Sequence, residues 1–219
     1  MATTTRRDVV HALLDRYGRT YAEEAGIRLK DTPQPLYRLL VLASLLSARI
    51  RADIAVATAR ELAEAGMRDP RRMAEATWQQ RVDALGRGGY RRYDERTATQ
   101  LGDGAELVLD RYGGDLRKLR DQAGGDVEGI RRSLQDFPGV GPAGADIFLR
   151  EAQAVWPQVA PFFDDKALQG ARALDLPTTP AGLLRAADGA QPAVLAAALV
   201  RAALDKKAPE AVREAARAA

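Results

Sequence analysis

The 219-residue chain contains no cysteine and a single histidine. The first absence removes disulfides, thiolate zinc sites, cysteine nucleophiles and cysteine-ligated iron–sulfur clusters together. The second removes histidine-based triads and multi-histidine metal sites. His11 lies in an amphipathic run, where a surface or boundary place suits it better than catalysis. Long apolar runs are missing as well. The uncharged stretches Leu39–Ala48 and Gly189–Val200 fall far short of the roughly 20 apolar residues of a membrane span. Met1–Asp8 is polar and has no apolar signal-peptide core, so a cytoplasmic protein is expected. Nor does one sign of charge dominate. The formal net charge is +3, compatible with a polyanionic partner but not demanding one.

What remains is a helical pattern punctuated by glycine and proline, with almost no strand-like alternation. An apolar fraction of 46% suffices for a core without covalent staples. Val9, Leu13, Leu14 and Tyr17 mark a first amphipathic helix. After Asp31–Pro35 comes a helix whose Leu39–Leu46 run is apolar nearly all round, which places it inside a bundle. Ile54–Ala65 forms another. Asp69-Pro70 is a helix start, an N-cap acceptor followed by proline in the first turn. Thr77 and Gln80 have capping-box spacing, and Gly86, Gly88 and Gly89 end the helix they open. A longer helix runs from about Asp94 to Tyr112 and stops at Gly113-Gly114. Val127, Ile130 and Leu134 share one helical face, as do Ala145, Phe148, Leu149 and Ala152. Helices near Lys166–Leu174, Ala181–Ala187 and Pro192–Asp205 follow, and the alanine-rich tail from Ala208 forms a terminal helix or a frayed end. The expected class is all-α.

The informative stretch is Phe137-Pro138-Gly139-Val140-Gly141, a tight turn between two helices, followed by Pro142, Ala143 and Gly144. Gly139 and Gly141 can both take positive φ, and neither carries a side chain to hold a ligand away. The helix that follows opens with bare backbone N–H groups, a geometry that grips a phosphate oxygen without reading sequence. The plainer alternative is an ordinary αα-corner in which the glycines only permit the turn.

This segment resembles the hairpin of the helix-hairpin-helix (HhH-GPD) base-excision DNA glycosylase superfamily, whose best-known branch is endonuclease III. Three further landmarks occur in the same order. Leu45-Leu46-Ser47-Ala48-Arg49 resembles a segment near the start of the family's six-helix domain, and Gly89-Tyr90-Arg91-Arg92 resembles its glycine–leucine–tyrosine segment. Phe163-Asp164 falls about where the family places its essential aspartate. Together these cover roughly Leu39–Leu174.

The resemblance implies a two-lobed all-α fold. A six-helix barrel over 35–152 would end in the hairpin helix, and a second helical domain would join 1–34 to 153–219. Double-stranded DNA would lie in the cleft between them, bound by a monomer associated with the nucleoid. It implies a DNA glycosylase of base-excision repair, a hydrolase that flips a base out and breaks its N-glycosidic bond. Asp164 would stabilise the oxocarbenium-like sugar or deprotonate the attacking water; Asp165 competes for the role, and either can instead cap the following helix. DNA contacts would come from Gly139, Val140, Gly141, Ala143 and Gly144 in the hairpin, and from Ser47, Arg49, Tyr90, Arg91 and Arg92. A monovalent cation on hairpin carbonyls is the one ion implied, and no metal or redox cofactor is required.

Four departures refine this. Ala143 stands where bifunctional members carry a lysine nucleophile, so hydrolysis without strand-cleaving lyase activity is expected. Lys166 is expected to face outward. The cysteines of the family's iron–sulfur cluster are absent, and packing among the C-terminal helices would replace it. Arg49 replaces the glutamine that fills the space of the flipped base, and can either contact the unpaired base or bind phosphate. Gly89 replaces the wedging leucine, leaving Tyr90 to stack on a base or to serve as a core aromatic. The rival reading keeps the fold and the DNA binding without catalysis; a helical protein-interaction domain is a weaker third.

Overall fold

A computed structural model describes residues 4–218. Fourteen helices and no strand occur among them. In chain order they are α1 (Arg6–Tyr17), α2 (Tyr21–Glu24), α3 (Pro33–Ser47), α4 (Ala52–Glu64), α5 (Pro70–Glu75), α6 (Trp78–Arg87) and α7 (Asp94–Tyr112). The second half holds α8 (Leu116–Gln122), α9 (Val127–Leu134), α10 (Pro142–Ala152), α11 (Asp165–Ala173), α12 (Pro180–Ala187), α13 (Pro192–Leu204) and α14 (Ala208–Ala218).

Helix starts follow local chemistry. The Asp69 side chain accepts from the Arg72 amide with Pro70 in the first turn, and Thr77 and Gln80 complete a reciprocal capping box. Gly113 ends α7 in the left-handed region. The terminal alanine-rich segment is a helix, with Ala208, Val212 and Ala216 buried.

The chain divides into two compact units. One is continuous, Ala22–Val159. Its centre is α3, in which Leu36, Leu39 and Leu42 are fully excluded from solvent; each such leucine contributes about 1.5–3 kcal/mol by burial. α3 packs against α10 and α4, while α7 packs against α5 and α6. Trp156 closes this unit behind α10. Its ring meets Phe148 edge-on at 5.4 Å, and its indole N–H donates to Asp31 at 2.9 Å, just before α3. Ala22 is tied to the end of α10, its amide donating to a Glu151 carboxylate oxygen at 3.1 Å.

The other unit is discontinuous, Met1–Tyr21 with Ala160–Ala219. α1 packs on α12, α13 and α14, and buries Val10 and Leu13; His11 is exposed. α11 lies so close to α13 that a Cβ added at Gly170 would stand 1.8 Å from the Leu199 carbonyl oxygen. Among the described residues no single helix is long and apolar enough to cross a membrane.

Candidate nucleic-acid interface

The hairpin between α9 and α10 is built by a short sequence of local constraints. Ile130 and Leu134 bury the inner face of α9, and Phe137 and Val140 anchor the turn in the core. Gly139 takes φ +81°, a conformation that favours glycine. Gly141 does not share it. Its backbone is extended, at φ −91° and ψ −171°, so of the two glycines that can take positive φ only Gly139 does. Extended backbone is what a residue preceding proline prefers, and Pro142 follows. An added Cβ at Gly141 would meet nothing within 4 Å, so neither backbone nor packing demands glycine there. Gly144 is different. It is buried, and its Cβ would stand 3.1 Å from Val140 Cγ1 and 3.4 Å from Ser47 Oγ, where α10 crosses α3.

Of the five hairpin residues named from the sequence, Gly139, Gly141 and Ala143 are exposed, whereas Val140 and Gly144 are buried. No side chain caps α10. Among the described residues the amides of Gly139, Gly141 and Ala143 have no hydrogen-bond partner, while the Val140 amide donates to Phe137. Three unpartnered amides on exposed residues thus lie at the N-terminal end of an 11-residue helix, where an anion is favoured by about 0.3–1 kcal/mol through the dipole alone.

Beside the turn lies a pocket of about 360 Å³ that gathers residues from four parts of the chain. Ser47 and Arg49 come from the end of α3, Tyr90 and Tyr93 from the loop before α7, Arg96 and Gln100 from α7, and Gly139 from the hairpin. Four residues singled out in sequence, Ser47, Arg49, Tyr90 and Gly139, therefore line one pocket. The Ser47 hydroxyl is turned back onto its own helix, donating to Ser44 O at 2.7 Å. Arg49 is exposed and makes no ion pair among the described residues, whereas Arg51 is held in a bidentate pair by Asp53.

Tyr90 is corrected. It is 3% exposed, and its phenolic oxygen accepts from the Thr97 hydroxyl at 3.0 Å, so its ring is a core aromatic rather than a stacking surface. Gly89 is exposed at φ +88°. Arg91 and Arg92 are exposed, with Arg92 lying over the ring of Tyr93.

Sequence reasoning missed Tyr93, Arg96 and Gln100. Spacing was the available signal for the helical part, since positions 96, 97 and 100 share one face of α7, with Tyr93 at its N-cap. Gln100 reaches the hairpin itself, since a Cβ at Gly139 would stand 2.8 Å from its Oε1.

Asp164 belongs to the discontinuous unit and is the N-cap of α11, with Oδ1 accepting from the Ala167 amide at 3.1 Å. It is half-buried; Asp165 and Lys166 are exposed. The Lys166 ammonium donates to Gln169 on the same helix, matching its expected outward position. Among the described residues no group of three or more acidic, histidine or cysteine side chains could hold a metal ion.

The class defined so far is an all-helical protein presenting a glycine hairpin with free amides beside an arginine-rich pocket. No known protein-family pattern matches the chain, and no curated protein matches it in sequence. Among solved structures it is similar to an endonuclease III in a trapped covalent intermediate with DNA, an estranged-adenine complex. The identity is 14%, over 90% of this chain and 85% of that one, with a TM-score of 0.46.

Proposed function

We propose that the chain is a monofunctional DNA N-glycosylase that removes a damaged or mispaired base from double-stranded DNA in base-excision repair. The observation that carries this reading is the hairpin, three unpartnered amides on exposed residues around an open glycine. Such amides hold a backbone phosphate, and Arg49, Arg91 and Arg92 add charge around it. A monovalent cation on carbonyls of the turn would strengthen that contact without entering the bond-breaking step. The protein works as a monomer among the chromosomal DNA of the cytoplasm.

The chemistry rests on Asp164. As the C1′–N bond lengthens, the base leaves with the bonding pair and positive charge grows on the sugar. The Asp164 carboxylate offsets that charge and takes a proton from the water whose oxygen bonds to C1′. The products are a free base, protonated on the departing nitrogen, and an abasic sugar. Asp165, one position on, is the alternative for this role. Ala143 offers no amine to attack C1′, so strand cleavage does not follow.

The test is base release from oligonucleotides each carrying one modified or mismatched base, with hot alkali to reveal abasic sites. Asp164→Asn should abolish release while Asp165→Asn keeps it. Asparagine caps helices as well as aspartate does, so Asp164→Asn should leave stability within a few tenths of a kcal/mol. Strand cleavage without alkali would overturn the monofunctional assignment. One observation favours a second reading, a DNA-binding protein without turnover: Asp164 already serves as the cap of α11. Duplex binding with no base released from any lesion would decide for it.

A further inference from the structure

Among the described residues three large hydrophobic side chains are exposed: Trp78, Tyr93 and Leu204. The Trp78 indole N–H is engaged by Thr99, and Leu204 ends α13 away from any pocket described above. Tyr93 is unlike both. It is 55% exposed and lines the 360 Å³ pocket beside the hairpin. Its backbone is also at φ +65°. Three non-glycine residues are left-handed among the described residues, and the other two are Asp175 and Asp188. Aspartate tolerates that region, whereas a bulky aromatic there is an outlier. Such strain concentrates at sites that bind or switch.

Charge around this ring is also unusual. The Arg92 guanidinium lies 5.0 Å from the ring centroid. Arg49, Arg91, Arg92 and Arg96 make no ion pair among the described residues, although Asp94 and Glu95 stand in the first turn of α7. By contrast Arg72 and Arg87, in a 420 Å³ depression elsewhere in the unit, are paired with Asp69 and Glu61.

We infer that Tyr93 is a stacking platform for an unpaired nucleobase, with Arg92 on one face of the ring and the base on the other. The adjoining pocket receives the polar edge of that base. Gln100 offers both a donor and an acceptor there, Arg49 and Arg96 offer donors, and the hairpin amides hold the neighbouring phosphate. An aromatic ring ringed by uncompensated guanidinium groups suits a base on an anionic backbone better than a protein side chain. This inference rests on the DNA-binding part of the reading above and adds to it which residue senses a base without a partner.

Two substitutions isolate the ring. Tyr93→Asn keeps a residue that tolerates positive φ and removes the aromatic face; Tyr93→Phe keeps the face. Affinity is measured by fluorescence anisotropy, at one salt concentration, for a labelled duplex with a single bulged base and for the same duplex fully paired. The wild-type protein should prefer the bulged duplex. Tyr93→Asn should weaken bulged-duplex binding by about 5-fold or more while leaving paired-duplex binding unchanged and the unfolding temperature no lower than wild type, because backbone strain is relieved, and Tyr93→Phe should behave as wild type. A preference retained in Tyr93→Asn, lost in Tyr93→Phe, or absent from the wild type overturns the platform, with the DNA-binding reading intact if the paired duplex is bound. Binding of neither duplex overturns both. A Tyr93-dependent preference without base release from any lesion overturns the enzyme and supports the platform.

Discussion

Gly141→Val separates the two things a glycine in a hairpin can be for. The Gly141 backbone is extended and precedes proline, a conformation valine adopts readily, and an added Cβ meets no atom within 4 Å. Valine is a poorer N-cap than glycine by up to about 1 kcal/mol, while the reduced freedom of the unfolded chain returns about 0.4–1 kcal/mol. Stability should therefore change by less than about 1 kcal/mol. DNA affinity should not survive so well, because the new side chain fills open space at the exposed turn that a phosphate approaching the hairpin amides would need. Losing one charge-assisted hydrogen bond costs about 1.5–3 kcal/mol, so duplex affinity should fall by roughly 10- to 150-fold. Gly139→Ala inverts the pattern. At φ +81° it should lose about 1–2 kcal/mol of stability, since the nearby Gln100 amide can swing aside. Urea unfolding and duplex anisotropy on the same two proteins give both numbers. Wild-type DNA affinity in Gly141→Val, with stability unchanged, would refute the amide-cradle reasoning.

Tyr90→Phe removes the acceptor of the buried Thr97 hydroxyl; about 0.5–1.5 kcal/mol of stability should be lost, with no change in duplex affinity. Gly170→Ala sets a methyl against the Leu199 carbonyl, and only backbone movement relieves it. The loss of about 3 kcal/mol or more should appear as a lowered unfolding midpoint. Asp115 caps α8, and hydrogen bonds from the Arg117 guanidinium, then from the Arg117 amide, outweigh desolvation and hold its carboxyl below the ordinary 3.8. A depressed folded-state pKa gives stability that is present above the unfolded value and lost as pH falls through the folded one. Asp115→Asn keeps an N-cap side chain but not the charge. Its stability deficit at pH 7 should shrink in urea titrations carried below about pH 4.

Helix existence was legible wherever one face had to be buried or one end had to be capped. The α3 run, the capping box of α6 and the Asp69 cap all read correctly because they depend on residues within a few positions. α2 and α8 went unread, being too short, at four and seven residues, for an apolar period to stand out. At the site, local reasoning found the hairpin, while Ser47 and Arg49 were reached only through the family resemblance. It left Tyr90 open between core and stacking and overlooked Tyr93, because the same short loop carries both and burial is decided by a partner outside it. Thr97 takes Tyr90 inward, and nothing in the order of residues 89–93 distinguishes a tyrosine facing the core from one facing water. Gly141 likewise could not be told from Gly139 by residue type; only the backbone angle separates a glycine needed for the turn from one that leaves space.

The discontinuous unit has a consequence for how the chain is made. α1 leaves the ribosome before the continuous unit, carrying Val10 and Leu13, both fully buried in the finished protein. Its partners, α12, α13 and α14, lie beyond residue 160. About 160 residues separate Tyr17 from the first of these partners, and at 5–20 residues per second their synthesis takes roughly 8–30 s. During that time the continuous unit can complete its own packing while α1 waits with an apolar stripe uncovered. Chaperone demand should therefore fall on the first helix and persist until the last ones emerge.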